Sequence, residues 1–245
     1  MDQLLDLADD RLINGCIYCG GHADTRDHVP SRILLDPPYP ENLPVVGACE
    51  ACNQGFSKDE QYIVCLLAAV QAGSTDPDKI RRASVARAME RSLPLRSRIE
   101  SAKSTWNDRI IFIPEEDRLR NVMLKQARGH AAFELSQPCT KEPDHYWCGA
   151  LEKLCEDQRE NFNAVHIQQL FGEICSRNIQ RMYAAEVTLE SESGGQDKMH
   201  LMINDWVEVQ EGNYRYLAID DIHGIIIRIV IADYLACEVG WNIYA

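Results

Sequence analysis

The chain has 245 residues, 45% of them apolar, with 14 Gly and 10 Pro. That composition builds a packed core and rules out a collagen-like or wholly disordered chain. With 38 acidic against 25 basic residues the net charge is −13, which argues against binding anionic membranes or nucleic acid by bulk charge.

The first ten residues are acidic, unlike a secretion signal, and no run approaches the roughly 18 apolar residues of a membrane helix. The expected location is therefore cytoplasmic. There the ten cysteines stay reduced, and paired ones more often hold metal than form disulfides.

In chain order, Leu4, Leu5, Leu7, Leu12 and Ile13 suggest a short helix, broken by Asn14-Gly15. Residues 16–52 are turn-rich and dense in Cys, His, Pro and Gly. Phe56, Ile63, Leu66, Leu67 and Val70 fall at helical spacing, so a helix leaves this segment and ends near Gly73. Thr75-Asp76-Pro77 opens the next helix, which runs toward Ser92 and is cut by Pro94. Ile110–Ile113 reads as a strand, Asp117–Ala127 as a helix, and Ala131–Leu135 as the approach to a turn at Pro138. Leu151–Asp157 and Ile167–Met182 read as helical.

The last quarter alternates in strand fashion over Tyr183–Leu189, Met199–Ile203, Trp206–Gln210, Tyr214–Ile219 and Ile225–Ile231, with a hairpin turn at 211–213. Tyr234–Trp241 is ambiguous between helix and strand, and 191–197 is the best loop candidate. The expected fold class is α+β: a zinc-stabilised ββα module (1–75), a mainly helical middle (76–182) and a C-terminal antiparallel sheet (183–245). Charge is uneven along this path. From Lys79 to Arg128 there are 13 Lys/Arg against 6 Asp/Glu, a local +7 that leaves −20 elsewhere.

Two C-x2-C pairs, Cys16/Cys19 and Cys49/Cys52, stand twenty-nine residues apart. Four thiolates complete a closed tetrahedral zinc shell, with no open position for catalytic water. Between and after them come Asp27-His28-Val29-Pro30, Glu41-Asn42-Leu43 and Asn53. This ordered set resembles the HNH endonuclease family and its ββα-metal fold, over roughly residues 14–72. The resemblance implies phosphodiester hydrolysis, most readily of DNA, leaving a 5′ phosphate. It implies His28 as general base, Asp27 and Asn53 as ligands of a catalytic Mg²⁺ or Mn²⁺, and Asn42 as a brace on the loop facing His28. A neutral imidazole suits the base role, and hard oxygens suit a hard cation.

Asn53 stands where many members carry His, and the loop after His28 is Pro-rich where Gly-Gly is frequent. Adjacent residues on a regular strand face opposite ways, so Asp27 and His28 share one site only if the strand ends or twists there. Family association points to restriction, mobile-element or anti-phage systems, with an activating protein partner or a homodimer both compatible. The competing reading is a zinc-stabilised binding module with a silent nuclease site.

Other residues invite bland readings beside functional ones. Ser57 fits a helix cap, and Asp59, Glu60 and Lys58 fit a first helical turn better than metal or phosphate contact. His22 is redundant beside four cysteines. Cys139, His145, Cys148 and Cys155 are spaced irregularly, and Cys65, Cys175 and Cys237 sit in apolar settings; packing accounts for all of these. Lys125–His130 reads as a basic turn able to meet phosphate, and Trp206, Tyr214, Tyr216 and Trp241 as packing aromatics. No phosphate-binding glycine motif occurs, so nucleotide cofactors have no support.

Overall fold

The computed structural model describes residues 15–106, 109–173, 176–190 and 196–242. The helix expected over the first dozen residues, Cys175, and most of the loop expected at 191–197 lie outside them.

The Cys-rich segment forms a two-stranded antiparallel ribbon, β1 (Thr25–His28) and β2 (Val45–Ala48), with Asp27 opposite Val46 and His28 opposite Val45. Helix α1 (Glu50–Gly55) follows, then α2 (Ser57–Ala72). α2 ends where the sequence predicts. Gly73 there takes a φ of 58°, a left-handed conformation that costs glycine little.

Between 75 and 102 the structure departs from the expected single helix. A 3-10 turn (Pro77–Lys79), capped by Asp76, precedes α3 (Ala83–Arg91) and α4 (Leu93–Ala102). Pro94 lies in the first turn of α4, where its missing N–H is no loss, so it opens a helix as α3 closes. The strand expected at Ile110–Ile113 is β4 (Arg109–Phe112), paired with β3 (Lys103–Trp106), for which the sequence offered no signal.

The two pieces read at 117–127 and 131–135 are one helix, α5 (Glu116–Leu135). Next come β5 (His145–Ala150), a 3-10 turn (Leu151–Lys153), α6 (Glu156–Asn163), β6 (His166–Gln168) and α7 (Arg177–Arg181). The helix expected over Ile167–Met182 is therefore replaced by a short strand and a short helix. β7 (Tyr183–Glu190), β8 (Gln196–Asn204), β9 (Val207–Gln210), β10 (Tyr214–Asp221), β11 (Gly224–Ile231) and β12 (Leu235–Trp241) complete the chain. The ambiguous tail is thus a strand. Two larger antiparallel sheets result, ordered β5-β12-β11-β10-β9 and β6-β8-β7, so the α+β class with a C-terminal antiparallel sheet holds.

α5 carries the core. Val122, Met123, Ala127 and Ala131 are fully buried in a cluster that includes Ile63 of α2, Met89 of α3, Ile99 of α4, and Ile227, Ile229 and Val239 of the large sheet. This cluster draws residues from all three regions that the sequence separated. On another side of α5, Ala132 and Phe133 join Cys16, Ile17, Tyr18, Val29, Val46 and Ala48. Gly129 permits that approach, since a Cβ there would lie 2.7 Å from Val29 Cγ2. Among the described residues, no helix is long and apolar enough to cross a membrane.

The expected basic turn at Lys125–His130 lies inside α5. Lys125 is 2% and His130 1% exposed, while Arg128 donates to the carbonyls of Cys139, Thr140 and Lys141. No phosphate contact from Lys125 or His130 survives this burial. His130 Nε2 lies 2.9 Å from the Tyr214 hydroxyl, and its ring stacks on Tyr216 with centroids 3.7 Å apart.

Burial, aided by the charge of Arg181, pushes the His130 imidazole down to about 3. Below the ordinary His range near 6.5 the unfolded chain takes up a proton that the fold refuses. Stability therefore falls as pH drops from about 6.5 toward 3, by up to about 1.4 kcal/mol per pH unit from this residue. Urea denaturation across that window is expected to show a shallower slope for His130→Phe than for wild type.

Candidate functional site

Two knuckles bring four sulfurs together. In the first, Cys16 N–H donates to Gly21 O at 2.7 Å and Gly20 N–H to Cys16 O at 2.8 Å. Ile17 N–H donates to Gly47 O at 3.1 Å and ties this turn to β2. In the second, Cys49 is the N-cap of α1, and its Sγ accepts from Cys52 N–H at 3.4 Å. All four Sγ atoms lie within 4.8 Å of one another.

The Cys19 and Cys49 sulfurs are 3.8 Å apart. Sulfurs at about 2.3 Å from a shared tetrahedral ion stand about 3.8 Å apart, whereas a disulfide needs about 2.05 Å. The cluster is compatible with a metal site and has no disulfide geometry.

Its thiols differ in acidity. Burial raises Cys16, but hydrogen bonds from the backbone of Cys49, Cys19 and Tyr18 outweigh it and bring this thiol to about 7. Burial and neighbouring thiols push Cys52 far upward. One sulfur gives up its proton readily and another resists, because adjacent thiolates repel unless a cation stands among them.

β1 projects from this frame. Asp27 is 7% exposed; its Oδ2 accepts from the Tyr18 hydroxyl at 2.8 Å and pairs with Lys125 Nζ at 2.8 Å. The same ammonium reaches Glu60 Oε1 at 2.5 Å and Ser31 Oγ at 2.6 Å. Its three N–H donors therefore have three oxygen partners. Ser31 Oγ donates to Glu60 Oε1 at 2.5 Å and accepts from Gln126 Nε2 at 2.7 Å. Tyr18 is held protonated by burial and by the Asp27 charge, which keeps it a donor.

Asn53 sits over the same strand. Its amide nitrogen donates to Thr25 Oγ1 at 3.2 Å and to the Arg26 carbonyl at 3.3 Å. A carbonyl only accepts, so this bonding fixes the amide orientation and turns Oδ1 away from the strand. Thr25 and Asp27 alternate onto one face of β1, so Asn53 and Asp27 share that face, and Arg26 and His28 take the other.

His28 is the last residue of β1 and is half-buried. Burial and the charges of Arg32 and Lys125 draw its imidazole below 6.5 against the opposing pull of Asp27, so it is a neutral proton acceptor at neutral pH. Asn42 lies exposed in a turn before β2, and among the described residues no side-chain hydrogen bond from it to the loop is seen.

The remaining candidates lie in structural contacts or on the surface. Ser57 donates to Gln54 O at 2.8 Å and caps nothing, α2 having no side-chain cap. Asp59 pairs with Arg118 and accepts from Asn121 at 2.7 Å, joining α2 to α5. Lys58 is exposed. His22 is exposed and bridges its backbone to Gly15. Cys148 pairs across strands with Cys237, whereas His145, which meets Glu238 at 3.2 Å, and Cys155, which begins α6, are exposed and do not pack as expected. Cys148 and Cys155 thus share no helix face. Tyr214, Tyr216 and Trp241 are buried, and Trp206 Nε1 donates to Asn163 O at 3.0 Å.

Among the described residues, the four cysteines are the one group of three or more His, Cys, Asp or Glu side chains close enough to share an ion. The sequence reading missed the Tyr18–Asp27–Lys125–Glu60–Ser31 network, because its members lie up to 107 positions apart and only the fold unites them. No protein-family model, curated protein or solved structure matches the chain.

Removing the ammonium leaves two buried carboxylates without their cation. Lys125→Met is expected to destabilise the protein by about 3–5 kcal/mol in chemical denaturation, with part of the loss recovered when Glu60→Gln is added. A loss below about 1 kcal/mol would contradict the assigned ion pairing.

Proposed function

We propose that this chain is a metal-dependent endonuclease of the HNH type, hydrolysing phosphodiester bonds in DNA. The observation that carries the reading is the placement of Asn53 against the strand that bears Asp27 and ends at His28, beside a four-sulfur cluster. The sulfur spacing fits zinc, held by Cys16, Cys19, Cys49 and Cys52 as a closed structural site.

Asp27 and Asn53 would hold Mg²⁺ or Mn²⁺ through hard oxygens, Asn53 only after its amide leaves Thr25 and Arg26 and rotates Oδ1 toward the strand, with substrate phosphate supplying further ligands. The bound ion supplies charge stabilisation to the phosphoryl and leaving oxygens. His28 accepts the proton of the attacking water as its oxygen bonds to phosphorus and the bond to the 3′ oxygen breaks. In this reading the site residues are Asp27, His28, Asn42 and Asn53; His28 lies on the other face of β1 from Asp27 and would reach the same phosphate from the end of the strand. A cytoplasmic role in restriction, mobile-element or anti-phage systems, with a protein activator or a second copy, belongs to the same reading.

One observation favours a second reading, a zinc-stabilised binding module with a silent site. Asp27 Oδ2 is committed to Lys125 and Tyr18, and an adjacent ammonium opposes a divalent cation. Purified protein with Mg²⁺ or Mn²⁺ is expected to cut plasmid DNA, and His28→Ala to lose at least about 100-fold in rate. Undiminished cutting by His28→Ala would sink the mechanism, and no cutting by wild type would favour the silent module. Metal analysis is expected to find about one zinc per chain, reduced in Cys49→Ser and unchanged in His28→Ala. A full zinc complement in Cys49→Ser would refute the ligand set.

A further inference from the structure

Away from the Asp27–His28 strand, a cavity of about 910 Å³ opens between α2, α3 and the β9–β10 and β11–β12 turns. Its volume falls in the range of about 300–1,000 Å³ typical of small-molecule sites. The floor is apolar, made by Leu34, Val64, Leu67, Ala68 and Ile231. One wall is cationic, formed by Lys79, Arg81, Arg82 and Arg87, while the lining also holds two carboxylates, Asp36, which pairs with Arg82, and Glu211.

These cations are not equivalent. Arg82 is committed: its guanidinium donates to Ile33 O at 2.7 Å and pairs with Asp36 at 3.1 Å, which fixes the wall to the segment after β1. Lys79, Arg81 and Arg87 are exposed. Among the described residues no carboxylate stands within ion-pair distance of these three, and Arg87 makes only a 3.3 Å bond to the Ala83 carbonyl of its own helix. The start of α3 on this wall adds the same sign, with no acidic residue in its first turn and no side-chain cap. In a chain of net charge −13, three unneutralised cations over an apolar cleft mark a local preference for an anion with an apolar body.

We infer that this cavity is a binding site for a phosphate-bearing small molecule of the nucleoside phosphate class. Lys79, Arg81 and Arg87 receive the phosphates, and the floor formed by α2 receives the body. The inference stands apart from the nuclease reading, since it uses none of the residues assigned to cleavage.

The test is calorimetric titration of the full chain, without added divalent ions, using ATP, adenosine and inorganic phosphate as probes. ATP is expected to bind more tightly than about 1 mM, with adenosine and inorganic phosphate each weaker by about tenfold or more. The exposed double variant Arg81→Glu/Arg87→Glu, with an unchanged circular dichroism spectrum, is expected to lose at least about tenfold in ATP affinity. The inference is overturned if wild type fails to bind ATP, or if the double variant binds it equally. It is also overturned if a DNA oligonucleotide, and not ATP, binds in a manner lost in the double variant, which would assign the wall to nucleic acid.

Discussion

One buried ammonium ties three parts of the N-terminal module to the central helix. Lys125, on the central helix, is 2% exposed and spends its three donors on Asp27 of β1, Ser31 after β1, and Glu60 of α2. Two carboxylates and one ammonium leave the group with a net negative charge inside the protein. Such an arrangement persists only when every donor and acceptor is matched. Asp27 is therefore fixed by a residue 98 positions away, and the strand that bears it is set by the main core as well as by the sulfur cluster.

That constraint organises both faces of α5. One stripe of the helix fills the core beneath the five-stranded sheet, and another meets the knuckles through Ala132 and Phe133. Gly129 sits between these roles, where the helix comes closest to Val29. The module is therefore not a free-standing zinc domain attached to a helical one. Its four-cysteine cluster shapes the ribbon from outside, and Lys125 anchors it from within.

Legibility in the sequence followed the range of the interactions. The four cysteines could be read because two-residue gaps force each pair of sulfurs together locally. Strands β9 to β11 could be read because alternation and the turn at 211–213 are local too. Gly129 was read as part of a break because its packing partner, Val29, lies 100 positions away. β5 was missed because an edge strand of half-buried, mixed residues shows no alternation. The helix expected at 167–182 came from apolar spacing, yet Ile167 is 47% and Phe171 53% exposed, so that pattern marked no buried face. At the candidate site, motif order singled out Asp27, His28 and Asn53, while Lys125 and Glu60 were noticed separately and nothing local announced that they meet at Asp27.

The central claim is that the Asp27 face of β1, with Asn53 above it, accepts a divalent cation while the four sulfurs hold zinc. Anomalous diffraction from crystals soaked in Mn²⁺, recorded at the zinc and manganese edges, tests it directly. The account predicts one zinc peak among the four Sγ atoms and one manganese peak at about 2.2 Å from oxygens of Asp27 and of an Asn53 amide rotated toward it, with Lys125 still in place. Manganese bound at Glu60 and Ser31 in place of the ammonium, or no manganese on this face at all, would contradict it.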